Sequence, residues 1–287
     1  MKRIIFFVLI LTHFGCASGQ PQGKKIEIDI KGISDTVLYL VHYYGNSNMI
    51  ADTAKRDKGG KYVFAGKQPL PAGVYILVDQ SKSRPYFEFL IDKQQQFKIK
   101  TDTSAIYDNL TFTNSPVNTS FKEYSKFIQE KRKEVDQIRK EIQELKDNPE
   151  SGNAPLITRL EAEVKDYDRL VRQYQEELVR KDPESLLALL IKLQWDPEPP
   201  YDLKNGTRED SIKAFNYTRE HFWDHVDLSD ERIVRTPLFA EKLKSYLTVL
   251  VIQHPDSVIK EGEWIISHTL ASPELYKYVV WYVVNVT

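Results

Sequence analysis

Leu110-Thr111-Phe112-Thr113-Asn114-Ser115-Pro116-Val117-Asn118 is the stretch on which the chain turns from one kind of structure to another. Up to Thr113 apolar residues alternate with polar ones, the period of a half-buried strand; beyond Pro116 they recur every three or four positions, the period of a helix. Ser115 suits the cap of that helix and Pro116 its first position, where a missing N–H costs nothing. Forward of this point Phe121, Tyr124, Ile128, Val135, Ile138, Ile142 and Leu145 form a heptad seam with Lys131 as its one polar interruption. Pro149, Gly152 and Pro155 break the pattern, and a second seam runs through Ile157, Leu160, Val164, Tyr167, Val171, Tyr174 and Leu178. The spacing predicts two helices of roughly 25 residues over 117–181, folded back as an antiparallel hairpin ~37 Å long.

Backward of the same point, Ile26, Ile28 and Ile30 alternate with Glu27, Asp29 and Lys31. Further short strands are predicted near 37–44, 49–55, 62–65, 74–79, 86–91, 97–101 and 110–113. Asp57-Lys58-Gly59-Gly60 supplies a hairpin turn, and no helical pattern intervenes. Residues 24–113 therefore read as a small antiparallel β sandwich or meander. After the hairpin, Asp182-Pro183-Glu184 reads as the opening of a leucine-rich helix, and Pro197, Pro199 and Pro200 as a stiff connection. Helices are predicted near 208–222, 237–253, 255–270 and 273–286. The class is α+β: the β domain, then an all-α region over 114–287, with the hairpin first and a bundle over 182–287.

The chain has 287 residues, with 40 Lys and Arg against 41 Asp and Glu, a formal net charge of -1. Such a balance gives no whole-protein field to attract nucleic acid or an anionic membrane. Its single cysteine excludes an internal disulfide, a Cys-x-x-Cys pair and any zinc site with two thiolates. Lys2 and Arg3 precede an apolar run over residues 4–11 and then Gly15-Cys16-Ala17-Ser18-Gly19, so residues 1–19 read as a signal peptide. Ala17-Ser18-Gly19 fits ordinary cleavage, whereas Gly15-Cys16 fits lipoprotein processing with Cys16 as the lipid attachment point and an anchor to the membrane. Both routes lead out of the cytoplasm, to a periplasm or to a membrane-anchored lipoprotein.

No glycine-rich phosphate loop, nucleophile elbow or Ser-x-x-Lys element occurs, and no catalytic residue or cofactor is expected. His221 and His225 stand four apart with Asp224 between them; on a continuous helix they would share a face and could hold a metal. The preferred reading is a helix end with polar histidines, followed by Asp227-Leu228-Ser229-Asp230 as the cap of the next helix. Trp264, Tyr276, Tyr278, Trp281 and Tyr282 fall at helical spacings that suit a core or an interface.

Several short runs carry a family resemblance: Gly60-Lys61-Tyr62-Val63-Phe64, Gly73-Val74-Tyr75, Phe89-Leu90-Ile91-Asp92, Phe97-Lys98-Ile99, and Asn114 through Asn118. In the helical half they are His221-Phe222-Trp223-Asp224, Asp227 through Arg232, Arg235-Thr236-Pro237-Leu238-Phe239 and His254-Pro255-Asp256-Ser257. The chain resembles the N-terminal region of exported TlpA-like thioredoxin-family thiol-disulfide oxidoreductases, in which a domain of unknown function precedes a helical one and a thioredoxin-like domain follows. The resemblance marks Gly60, Gly73, Asn118, Phe222, Trp223, Asp224, Asp230, Arg232, Pro237 and Pro255 as motif positions. It implies that the Trp-Cys-x-x-Cys site lies after Thr287, so that this chain is a non-catalytic accessory region presenting or binding a substrate or partner protein. The alternatives are a stand-alone envelope interaction or ligand-binding module, which an exposed apolar patch on the helical half would favour, and a hydrolase or metal binder using His221, His225 and Asp224.

Overall fold

The computed structural model describes residues 23–148, 152–200 and 206–286. The signal-like residues 1–19 with Cys16, and the hairpin turn at Pro149, lie outside them.

Eight strands form two four-stranded sheets. One has the order β4 (Tyr62–Gly66), β1 (Lys24–Lys31), β7 (Gln96–Asp102), β8 (Thr111–Thr113); the other β3 (Ser47–Lys55), β2 (Val37–Tyr44), β5 (Gly73–Val78), β6 (Pro85–Ile91). Ile26, Ile28, Phe64, Phe97 and Ile99 from the first sheet meet Leu38, Leu40, Tyr75, Leu77, Phe87 and Phe89 from the second in one apolar core. This is the sandwich that alternation predicts. One pairing departs from the antiparallel expectation: β1 and β7 run parallel, Ile26 opposite Phe97 and Ile28 opposite Ile99. Alternation decides which face a residue occupies but is silent on strand direction, and the long excursion through the other sheet between β1 and β7 permits a parallel return.

β5 and β6 are buried on both faces. Tyr75, Leu77, Phe87 and Phe89 point into the sandwich, while Val74 and Leu90 belong to a second core built with the helices. The helical region therefore rests on the outer face of this sheet. Helix α1 (Pro116–Asp147) and helix α2 (Asn153–Lys181) are 32 and 29 residues long. At 1.5 Å per residue the longer measures ~48 Å, beyond the expected ~37 Å. They fold back as an antiparallel hairpin: Gln175 donates to the Tyr124 hydroxyl at 2.9 Å near the base, and Lys146 pairs with Glu161 at 3.0 Å near the tip. Tyr124, Val135, Ile142 and Leu160 of the two seams are buried. Lys131 answers its place in the seam with Glu134 at 2.9 Å and the Tyr167 ring at 5.2 Å.

Two predicted caps are differently used. Ser115 makes no side-chain cap on α1; its hydroxyl accepts instead from the Asn118 side chain at 2.8 Å. Asp182 closes α2 rather than opening α3 (Leu186–Gln194), whose cap is Ser185, accepting from the Ala188 N–H at 3.1 Å. Helix α4 (Arg208–Glu220) starts from a reciprocal Thr207–Asp210 box. A 3-10 turn (Glu231–Arg235) is capped by Asp230, as the Asp227–Asp230 run suggests, though for a shorter element than a full helix. The single helix expected over 237–253 is instead α5 (Phe239–Ser245) running into a π turn (Tyr246–Leu250). Helix α6 (Pro255–His268) and helix α7 (Pro273–Val286) complete the chain, each with proline at its first position. Phe222, Trp223, Phe239, Tyr246, Tyr278 and Tyr282 form the aromatic centre of the helical core. No helix among the described residues is long and apolar enough to cross a membrane.

Candidate functional site

Four of the motif positions, Gly73, Asn118, Asp230 and Arg232, lie at the junction between sandwich and helices. Gly73 opens β5, and a Cβ there would lie 2.6 Å from Arg235 Cβ and 2.9 Å from its carbonyl oxygen, so only glycine lets the 3-10 turn come this close. Arg235 is itself buried; its Nε donates to the Ala72 carbonyl at 2.9 Å and its Nη2 to Glu231 at 2.6 Å. Asn118, fully buried in the first turn of α1, accepts from the Leu90 N–H at 2.6 Å and donates to the Leu90 carbonyl at 2.8 Å. One amide side chain thus pairs with the open edge of β6 as a further strand would.

Arg232 ties a third point. It donates from Nε and Nη2 to Asp230, at 3.0 and 2.7 Å, and from Nη1 to the Glu184 carbonyl at 2.9 Å; Nη1 also lies 3.6 Å from Asp92. Asp92, at the end of β6, accepts the Leu186 N–H at 2.8 Å, which places a carboxylate from the sandwich on the N-terminus of α3. At the opposite end of the junction, Gly45 has φ +55° and donates to the Val234 carbonyl at 2.8 Å. A Cβ on Gly45 would collide with the Tyr278 ring, whose hydroxyl donates to Asn46. His42 on β2 faces Tyr75, with ring centres 5.6 Å apart. Burial and, secondarily, Arg235 hold its pKa below the ordinary histidine value, against the Tyr43 carbonyl.

A cavity of about 440 Å³ opens where these elements meet, walled by the β4–β5 loop at Leu70, the β6–β7 turn over 92–96, Glu184 and Arg232. Gln95 stiffens the wall by accepting from the Leu70 N–H and donating to its carbonyl, both at 2.8 Å. Its lining holds no hydroxyl, thiol or imidazole side chain, and Arg232 and Asp92 are already engaged. What the cavity offers is a preformed recess with Lys93 and Glu184 among its lining residues.

The histidine constellation does not assemble as a helical face. α4 ends at Glu220, and His221 is its cap. His221 Nδ1 lies 2.6 Å from Asp224 and its ring 4.2 Å from that of Tyr217. His225 turns away, edge-on to Trp195 at 5.2 Å. Burial, then Arg172, keep its pKa below the ordinary value, with Lys242 and Lys192 acting in the same direction. Among the described residues no group of three His, Cys, Asp or Glu stands close enough to hold a metal. The other motif positions are structural. Gly60 takes φ +84° in the turn between β3 and β4, which is not the expected hairpin, since the two strands lie in different sheets and are joined by a single bridge between Arg56 and Tyr62; Phe222 and Trp223 fill the aromatic core, Pro237 leads into α5, and Pro255 opens α6.

A second feature is the outer side of α6 and α7, where Ile259, Leu270 and Val284 are 57%, 67% and 74% exposed. The sequence reading singled out neither Asp92 as a cap for α3 nor Gln95 and Tyr278 as junction residues. The first depends on a carboxylate 94 positions from the amide it receives, which no local pattern encodes.

Residues 25–121 match the model of a family described as a domain of unknown function (DUF4369). No curated protein matches the chain. The matched span covers the whole sandwich and stops at Phe121 on α1, just past Asn118, so the part of this chain similar to that family is the β sandwich together with the side chain that closes its edge.

Proposed function

We propose that this chain is the non-catalytic N-terminal accessory region of an exported thioredoxin-like thiol-disulfide oxidoreductase, presenting or binding substrate or partner proteins. The observation that carries the reading is where the motif residues go. Gly73, Asn118 and Arg232 join the sandwich to the helices, and none is directed at a reacting centre. A resemblance carried by such residues speaks for a shared scaffold rather than a shared reaction. The match to a domain of unknown function over the sandwich supports the first part of the order of domains that the resemblance implies. Reading the gene past the codon for Thr287 tests it: an in-frame Trp-Cys-x-x-Cys within about 150 residues is expected, a domain length. A stop codon at that point overturns the oxidoreductase reading.

The second reading, a stand-alone envelope interaction module, is favoured by the exposed apolar side of α6 and α7. Its mark would be full stability and partner binding in a chain that ends with these helices.

A further inference from the structure

We propose that the open edge of β3, over Ser47–Ala51, binds an extended segment of another protein as an added strand. The inference rests on the binding role proposed above and names where a partner docks and in what form. The edge of a sheet presents unpaired N–H and C=O groups to any free strand unless something blunts it. The outer strands of the two sheets are β4, β8, β3 and β6. β8 is three residues long, β6 begins with Pro85 and is closed at Leu90 by the Asn118 amide, and β4 meets the end of β3 through the bridge between Tyr62 and Arg56. β3 is different: over Ser47–Ala51 nothing among the described residues pairs with its free side.

Gly45, at φ +55°, and Asn46 make the two-residue turn between β2 and β3, so Tyr44 and Ser47 are the hydrogen-bonded pair that closes it. Bonding alternates along an antiparallel pair, and the N–H and carbonyl of Asn48 and Ile50 therefore point away from β2. Thr53 has its N–H taken by the Asp52 side chain at 2.7 Å, but among the described residues no side chain serves Asn48 or Ile50 in this way. The open stretch has no charge and no proline, and Met49 and Ile50, successive and so on opposite faces, are 47% and 51% exposed. An added strand would set apolar side chains of its own beside both. The two ends of the opening favour a single segment over a second copy. At one end the turn is pinned to the helical region, the Gly45 N–H on the Val234 carbonyl and Asn46 under the Tyr278 hydroxyl. At the other, Lys24 reaches Asp52 at 2.6 Å and β4 enters beside Arg56. An antiparallel second copy would bring its own turn and helices against β4, and its own β4 against these helices; one extended segment brings neither.

Fluorescein-labelled peptides of about seven residues, a short strand's length, test this when titrated with the chain and read by anisotropy; they alternate threonine with valine, isoleucine, leucine or phenylalanine. At least one is expected to bind saturably and to slow amide exchange at Asn48 and Ile50. N-methylating the two peptide amides that would donate to the Asn48 and Ile50 carbonyls should weaken binding roughly tenfold, the worth of two hydrogen bonds. Met49→Lys and Ile50→Lys, both at exposed positions, should weaken it comparably while the circular dichroism melt stays unchanged. Failure of every peptide to bind at millimolar concentration overturns the proposal, as does binding indifferent to N-methylation or to both lysine variants. So does a concentration-dependent dimer that Ile50→Lys abolishes, which would give the edge to a second copy. A stop codon after Thr287 leaves peptide binding at β3 untouched, and an in-frame Trp-Cys-x-x-Cys does not supply it, so this inference and the proposed function fail separately.

Discussion

Gly73 and Asn118 are the residues on which the junction depends, and they do so for opposite reasons, one by having no side chain and the other by having a particular one. Gly73→Ala must push Arg235 and the 3-10 turn away from β5. It should cost about 1–3 kcal/mol, as overpacking does, read as a lower urea midpoint at unchanged slope. Asn118→Ala leaves the buried Leu90 N–H and carbonyl without partners, at roughly 1–3 kcal/mol for each orphaned group. Asn118→Leu, which fills the space but restores neither bond, should be no better in the same titration. His42 sets an acid limit. Its folded pKa is depressed, chiefly by burial and then by Arg235, so the unfolded chain takes up its proton first as pH falls. Stability is fully present above the unfolded value of about 6.5 and is lost as pH drops from there toward the depressed folded value. His225 contributes with the same sign. Urea midpoints should thus fall between about pH 7.5 and 5, and His42→Gln should flatten part of that slope. Of these residues the motif reading found Gly73 and Asn118, but their tasks could not be read: what Gly73 approaches and what Asn118 bonds lie 162 positions ahead and 28 behind.

At the scale of elements, the heptad seams of the hairpin were the most legible feature of the chain, because a long regular spacing has one structural solution. Lys131 is the seam's single flaw, half-buried and held by Glu134 and Tyr167. Lys131→Leu should complete the apolar stripe and raise the thermal midpoint of the chain by a few degrees, an increment of ~1 kcal/mol. Helix starts were less legible. Ser115 and Asp182 both have the chemistry of a cap, but Asn118 draws the Ser115 hydroxyl away, and the N-terminus of α3 receives Asp92 from the sandwich. Such competition is decided by tertiary neighbours, not by the local run of residues. The direction of β7 against β1 was hidden for a similar reason, since strand alternation is the same for both directions. His221 and His225 could share a face only on a helix continuing through 225, whereas α4 ends at Glu220 with His221 as its cap, the helix end that the preferred reading expects.

For the whole molecule, β5 and β6 belong to two cores at once, which makes sandwich and helices one cooperative unit. Denaturation followed by tyrosine and by tryptophan signals should therefore give coincident transitions, although every tryptophan lies in the helical half. A fragment limited to the family-matched span 25–121 would keep the sandwich core but expose Val74 and Leu90 and lose Arg235 and the α3 cap. It should melt well below the full chain or aggregate, checked by light scattering beside the melt. The two-sided burial of β5 also bears on how freely this protein can vary. A strand with one wet face can change every second residue at little cost, as β3 can with Met49 and Ile50 exposed. All six residues of β5 are buried, so a change at any of them meets packed neighbours and none drifts unnoticed. If positions 73–78 were randomised and selected for folding, the survivors should return close to the parental six letters, while the same selection over 47–50 should return almost anything. Six adjacent positions without a neutral one are a denser record of this fold than the long helices, most of whose outward letters could be rewritten.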